Sequence, residues 1–504
     1  ERGDDDGGWN TENLREEPQA GGTIRWGRAV SLLHIASSHG ATILRSTPRV
    51  NQAWIAGFTC RRRFSIVISM NPIAEKLNQT LAPTVDGRLL STTGRRISFP
   101  KGIVAQSAEA KQRAHRFNAT AGMAYQEGVP LILPSAAALT HRFHPSESVA
   151  YAPTQGVMEL RGRWKEEMVK KNPSLQGVTT STPLVTSGLT NGIAVAAELF
   201  IDPGDTVVMP DLFWGNYRLI FEHRKEARIE TFPLFSAEGG FNTEGLTLSL
   251  EAASAARNKV VLLLNFPNNP TGYTPSSSEM TKIVERLKQL ADGGTDLLVI
   301  TDDAYFGLFY EPETATESVF ASLAGAHERI LAVKLDGATK EDFAWGLRVG
   351  FVTFASPSLN SEAIEAMEQK LIGAIRSIVS NTSNLSQHLL LKVMNDSSYY
   401  DQKAKARSLL EERYRTIKKW LQERQSIHAD SPLTPLPFNS GYFMSFACSG
   451  IDAEELRVTL LDRGIGTISI DGRYLRIAFA GVDKEGLPEL LDEIFAAAEE
   501  LAQP

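Results

Sequence analysis

The chain has 504 residues, 42% hydrophobic and 22% charged, which is room for two or three domains built around a large core. A formal charge of −7 argues against a nucleic-acid surface, and two cysteines, Cys60 and Cys448, make neither a disulfide framework nor a metal cluster. That cysteine usage suits a reducing, cytoplasmic setting, and no run of about 18 apolar residues is present to span a membrane.

Residues 1–69 differ from the rest of the chain. They contain no lysine, they carry the triplet Arg61 to Arg63, and the first methionine is Met70. The opening "ERGDDDGG" is too acidic for an organellar transit peptide, and the apolar part of "RRRFSIVISM" is too short for a signal peptide. The segment is expected to be a non-native or disordered extension, with the natural start at Met70.

Residues 70–150 form an N-terminal arm and part of a small domain. From about residue 150 strands and helices alternate. "LVTS", "DTVVMP", "ARIETF", "KVVLLLNFP", "DLLVITDD" and "RILAVKLDG" read as strands, the last three as apolar runs, and amphipathic segments such as "SSEMTKIVERLKQLA" separate them. This pattern predicts an α/β fold, a three-layer, mostly parallel (mixed) sheet in a large domain over residues 151–375. A helical region over roughly 357–426 follows, then the strands "SGYFMSF" and "YLRIAFA", giving a smaller α+β domain over residues 376–504. "HRFHPS" brings His141 and His144 close together; with no third ligand at a suitable spacing they read as loop histidines.

Ligands in such sheets bind beyond the carboxyl ends of the strands. The polar groups Ser187-Gly188, Asn268-Asn269, Asp302 to Tyr305 and Lys340 all follow apolar runs, so they are expected to converge. A lysine there can form a Schiff base with an aldehyde cofactor if burial beside other cations eases its deprotonation. Asp302 or Asp303 can hold a pyridine nitrogen protonated. Asn269 and Tyr305 suit a phenolate oxygen, and "TSGLTNG" offers a helix N-terminus to a phosphate, with Arg348 beside it.

Taken in order, "YAPTQGVMELR", "NNPTG", "DDAY", Lys340 followed by "GLRVG", and "YLRIAFA" resemble the class I/II aminotransferases of the fold-type I pyridoxal 5′-phosphate enzymes. The likeness covers residues 150–500 well, residues 70–150 loosely, and 1–69 not at all. It implies that Lys340 carries the cofactor as an aldimine and shuttles the substrate proton. It further implies that Asp302 pairs with the pyridinium, that Asn269 and Tyr305 share the ring oxygen, and that Trp214 stacks on the ring. Ser187, Gly188, Leu189 and Arg348 would hold the phosphate, and Tyr151 would reach the phosphate of the neighbouring subunit in a homodimer with shared active sites. Arg476 would clamp the substrate carboxylate, with Asn269 and Gly122 beside it.

Gly337 stands where the family commonly has a phosphate-binding serine, and Thr339 is the nearby hydroxyl that could substitute. The implied activity is ping-pong transfer of an amino group from an L-amino acid to a 2-oxo acid. A lyase or decarboxylase begins from the same cofactor chemistry, so the motifs leave that alternative open. A transcription regulator with an aminotransferase-like domain is a further alternative, disfavoured because residues 1–69 lack a helix-turn-helix pattern. "FHPSESVAYAP" and the loop Phe306 to Tyr310 are expected to shape the substrate pocket.

Overall fold

The apolar runs form strands whose successive residues enter different cores. In the computed structural model Val207, Val261 and Leu263 pack on one face of the large sheet, whereas Val208, Leu262 and Leu264 pack on the other. Both faces are covered, so these strands are continuously apolar and show no alternation. The structure describes residues 70–81, 103–120, 122–127, 129–131, 133–138, 143–424 and 430–503. The extension expected over 1–69, His141 and Cys60 lie outside them.

The large sheet has seven strands, in the order Leu184–Thr186, Gly350–Ala355, Ile330–Asp336, Asp296–Asp302, Lys259–Asn265, Thr206–Pro210 and Arg228–Phe232. All neighbours run parallel except Gly350–Ala355, which is antiparallel to both of its own, so the sheet is mixed. Register places Asn265 opposite Asp302 and Asp302 opposite Leu335, which aligns three strand ends.

Helices cover the sheet where the sequence marks their starts. Ser276 and Glu279 form a reciprocal capping box at the entrance of Ser277–Asp292. Arg218–Arg224 is a π-helix. The long helical region resolves into Ser361–Val379, Asn384–Met394 and Tyr399–Glu423.

A second sheet of four strands runs Leu433–Pro435, Phe443–Cys448, Tyr474–Ala478, Ile468–Ile470. Its two outer strands have three residues each, too few to show a period. Phe117–Asn118 pairs in parallel with Ile465–Gly466, and the Ala478 amide donates to the Ala119 carbonyl at 2.7 Å. Thr120 lies beside Arg476 and Gly122 beside Lys340, through their carbonyl oxygens. No helix among the described residues is long and apolar enough to cross a membrane.

Candidate active site

A cavity of about 450 Å³ opens at the strand ends. Gly122, Leu189, Trp214, Asn269, Asp302, Tyr305, Lys340, Arg348 and Arg476, nine of the residues expected from the sequence, line it.

Lys340 sits on the single turn Ala338–Glu341, just past the strand Ile330–Asp336. Its Nζ donates to the Gly122 carbonyl at 2.7 Å and lies 5.2 Å from the Tyr305 ring centre. Burial pushes its ammonium down to about 7, the cations Arg476 and Arg348 push the same way, and Asp302 opposes them. An amine that is substantially neutral at neutral pH is a nucleophile.

Asp302 is the last residue of its strand. Its Oδ2 accepts from the Tyr217 hydroxyl at 2.6 Å and its Oδ1 from the Ala304 amide at 3.2 Å. Burial pushes the carboxyl up to about 6, while the Tyr217 hydrogen bond pulls it down. Asp303 points away, accepting from Ser318 Oγ at 2.6 Å and pairing with buried Lys334. Of the two carboxylates, Asp302 is the one on the cavity wall.

Arg476 is nearly inaccessible, at 2% exposure, yet fully fixed in orientation. It donates to Asn269 Oδ1 and to the Thr120 carbonyl, each at 3.0 Å, and lies 4.3 Å from the Phe443 ring centre. Its buried Nε has no partner among the described residues. Burial lowers the guanidinium to about 10, so it remains charged at neutral pH. A fixed, desolvated fork with donor capacity to spare is suited to a carboxylate.

At the far end, Gly188 opens the helix Leu189–Phe200 with φ +77 and no side-chain cap, so Leu189 and Thr190 present the helix N-terminus to the cavity. A Cβ at Gly188 would stand 2.5 Å from Arg348 Nη2, so glycine is what lets that guanidinium close over the helix end. A Cβ at Gly337 would stand 2.7 Å from the Val349 carbonyl oxygen, which explains why no serine occupies this site. Thr339 Oγ1 is buried on the wall with no partner among the described residues.

These residues fit pyridoxal phosphate. The wall supplies an amine, a carboxylate, an amide and a phenol close together, an indole, and an anion cradle with an orphaned hydroxyl.

Other sequence expectations fall elsewhere. Ser187 and Gly188 do not line the cavity themselves; the Ser187 amide donates to Asn191 Oδ1 at 3.1 Å. Tyr151 is 92% exposed and stands apart from the cavity. The Phe306 to Tyr310 loop does not shape this wall: Phe306, Leu308 and Tyr310 are buried, and the Tyr310 hydroxyl bonds the Gly441 carbonyl at 2.7 Å. His144 bonds Ser146 Oγ through its ring nitrogen at 2.8 Å.

Sequence reasoning missed Tyr217, Ser107, Thr120, Thr190, Asn265 and Phe443. Tyr217 follows Trp214 by three positions, a spacing that can place two side chains on one face of a turn. Asn265 ties strand ends together, donating to the Asp302 carbonyl at 2.7 Å while accepting from the Asn269 amide at 2.8 Å. Thr120 acts through its backbone carbonyl, which leaves no trace in residue type.

The family described as "Aminotransferase class I and II" matches residues 125–494. The chain belongs to that family. It is similar to the aspartate aminotransferase of Thermotoga maritima, 25% identical over 70% of this chain and 84% of the relative. It is also similar to a bifunctional aspartate aminotransferase and glutamate/aspartate-prephenate aminotransferase of Petunia hybrida, 29% identical over 40% of this chain. The chain spans about four-tenths of the length of that relative, 39% of it. An aminotransferase structure from Anaerococcus prevotii superposes with a TM-score of 0.71 at 23% identity, covering 80% of this chain and 97% of that one. The chain therefore has the fold of that structure, the α/β architecture with a mostly parallel sheet expected from its alternating elements.

Proposed function

We propose that the chain is a pyridoxal phosphate-dependent aminotransferase that moves an amino group from an L-amino acid to a 2-oxo acid in a ping-pong cycle. The observation that carries this reading is the position of Lys340: a buried amine on the wall of the same cavity as a fixed guanidinium, Arg476, with its ammonium lowered by burial and nearby cations. The family and the activities in its relatives' names support amino-group transfer over the lyase alternative.

The cofactor would supply an electron sink for the charge left when the substrate Cα proton departs. Lys340 would anchor the cofactor through Nζ and would be the base that takes the substrate Cα proton and returns it. Asp302, held by Tyr217, keeps a protonated ring nitrogen paired. Asn269 and Tyr305, on the wall, would hold the cofactor's ring oxygen, and Trp214 would pack against the ring. Leu189, Thr190, Thr339 and Arg348 hold the phosphate, with Thr339 standing in for the absent serine. Arg476 binds the α-carboxylate and so orients the Cα–H bond toward Lys340.

Exposed Tyr151 completes the phosphate cradle of a second copy, making the enzyme a homodimer with shared sites. A cytoplasmic setting belongs to the same reading, supported by the cysteine usage.

The test is the visible spectrum of the cofactor-loaded chain. An amino acid is expected to bleach the band and a 2-oxo acid to restore it. A band that persists through a full amino-acid panel, or release of ammonia or carbon dioxide in step with the spectral change, contradicts transamination.

A further inference from the structure

Two acids, Glu341 and Asp342, follow Lys340 directly in the sequence. Both are buried and both are engaged elsewhere. Glu341 pairs with Lys171 at 2.7 Å and with Lys403 at 3.0 Å. Asp342 pairs with Lys403 at 2.9 Å and accepts from the Tyr399 hydroxyl at 2.6 Å, both through Oδ1, while its buried Oδ2 has no partner among the described residues. Lys171 ends the helix Met158–Lys171, and Lys403 lies in the first turns of Tyr399–Glu423.

The cluster holds two carboxylates and two ammonium groups, so its formal charge is zero. Gly307 presses on it with φ +92, where a Cβ would stand 2.6 Å from Glu341 Oε1. The turn it anchors, Ala338–Glu341, is only four residues long and has no side-chain cap. So short a helix has negligible stability of its own, and its place depends on what grips it. The Tyr442 hydroxyl adds a grip on the Lys340 carbonyl at 2.8 Å.

We infer that Lys171 and Lys403 are positioning residues for Lys340: they clasp Glu341 and Asp342 in a neutral cluster that fixes the turn carrying it. The groups that face the Lys340 ammonium are Arg476, Arg348, Asp302, Tyr305 and Tyr442. Two of these are cations and one a carboxylate, and the net field favours the free amine. Glu341 is held down at about 2: burial raises it, but Lys171 and Lys403 outweigh burial, so the clasp stays ionised through the neutral range.

The inference rests on Lys340 being the reactive lysine, and labelling separates the two ideas. The full chain, stripped of cofactor, is exposed to limiting acetic anhydride across the neutral range, and acetylation of Lys340 is quantified by peptide mass spectrometry. Lys403→Met leaves the clasp net negative, and the labelling midpoint is expected to rise, cutting acetylation at neutral pH by about ten-fold. Glu341→Gln leaves it net positive, and the midpoint is expected to fall. Lys403→Arg, and Lys403→Met combined with Glu341→Gln, restore neutrality and are expected to label like the parent.

Shifts of opposite sign are not the result of general loosening. Folded Glu341→Gln protein with an unmoved midpoint overturns the inference, even if Lys403→Met does not fold. Borohydride reduction of each cofactor-loaded variant, with the pyridoxyl group mapped to Lys340, checks the underlying reading independently.

Discussion

Lys340 and Gly122 lie 218 positions apart, and the lysine Nζ donates to the glycine carbonyl oxygen at 2.7 Å. This bond closes the cavity between a strand end of the large sheet and a segment held by the small one. The Lys340 amine is thus parked on a neutral acceptor and not on a carboxylate.

The pH dependence of cofactor capture is set by that environment. With the Lys340 ammonium lowered to about 7 from an ordinary 10.5, the folded chain releases this proton before the unfolded chain does. The cofactor-free protein is therefore expected to gain stability from this group as pH rises from about 7 to 10.5. The capture rate of pyridoxal phosphate, followed in a stopped-flow spectrometer, should rise about ten-fold per pH unit below the midpoint and level off above it. A midpoint near that of an ordinary lysine contradicts the assignment. Lys340→Met should abolish capture and stabilise the cofactor-free chain at neutral pH by about 4 kcal/mol, measured by denaturant unfolding.

Tyr217→Phe removes the hydrogen bond that holds Asp302 as a carboxylate. The Asp302 carboxyl, already raised to about 6, should rise further. The acid limb of the kcat profile should move to higher pH, and kcat at neutral pH should fall about ten-fold with little change in melting temperature. An unmoved acid limb would show that Tyr217 only fills space.

Arg476→Lys keeps a charge but loses the fork, and steady-state kinetics should show kcat/KM lower by about ten-fold. Arg476→Gln should lower it by about 100-fold or more, close to 3 kcal/mol, while cofactor binding persists. Equal kinetics for the two variants would remove the carboxylate clamp from the account.

Gly272 ends the "NNPTG" turn with φ +73, and a Cβ there would stand 1.9 Å from the Phe443 carbonyl oxygen. Gly272→Ala is expected to cost about 3 kcal/mol in a thermal or denaturant melt, because backbone and not a flexible side chain would have to yield. A loss under about 0.5 kcal/mol would mean that the turn relaxes freely.

The large sheet was legible because each buried strand is a continuous apolar run ending in a polar cluster. Asp302, Asn269 and Lys340 stand at such ends, so their convergence could be argued from the sequence. Thr120 was not legible, since it acts through a backbone carbonyl brought in by the two-residue pairing of Phe117–Asn118 with Ile465–Gly466. Nor was the engagement of Glu341 and Asp342, whose partner Lys403 lies on a helix more than 60 positions later. The Phe306 to Tyr310 loop misled because its aromatic character serves the core, where the Tyr310 and Tyr414 ring centres lie 5.1 Å apart.

The central claim is that Lys340 carries the cofactor, and borohydride trapping tests it most directly. The chain is loaded with pyridoxal phosphate, reduced, digested, and the modified peptide sequenced by mass spectrometry. The account predicts one stoichiometric pyridoxyl group on Lys340, absent when the loaded protein is first treated with a substrate amino acid. A group spread over surface lysines, or none at Lys340, would contradict it.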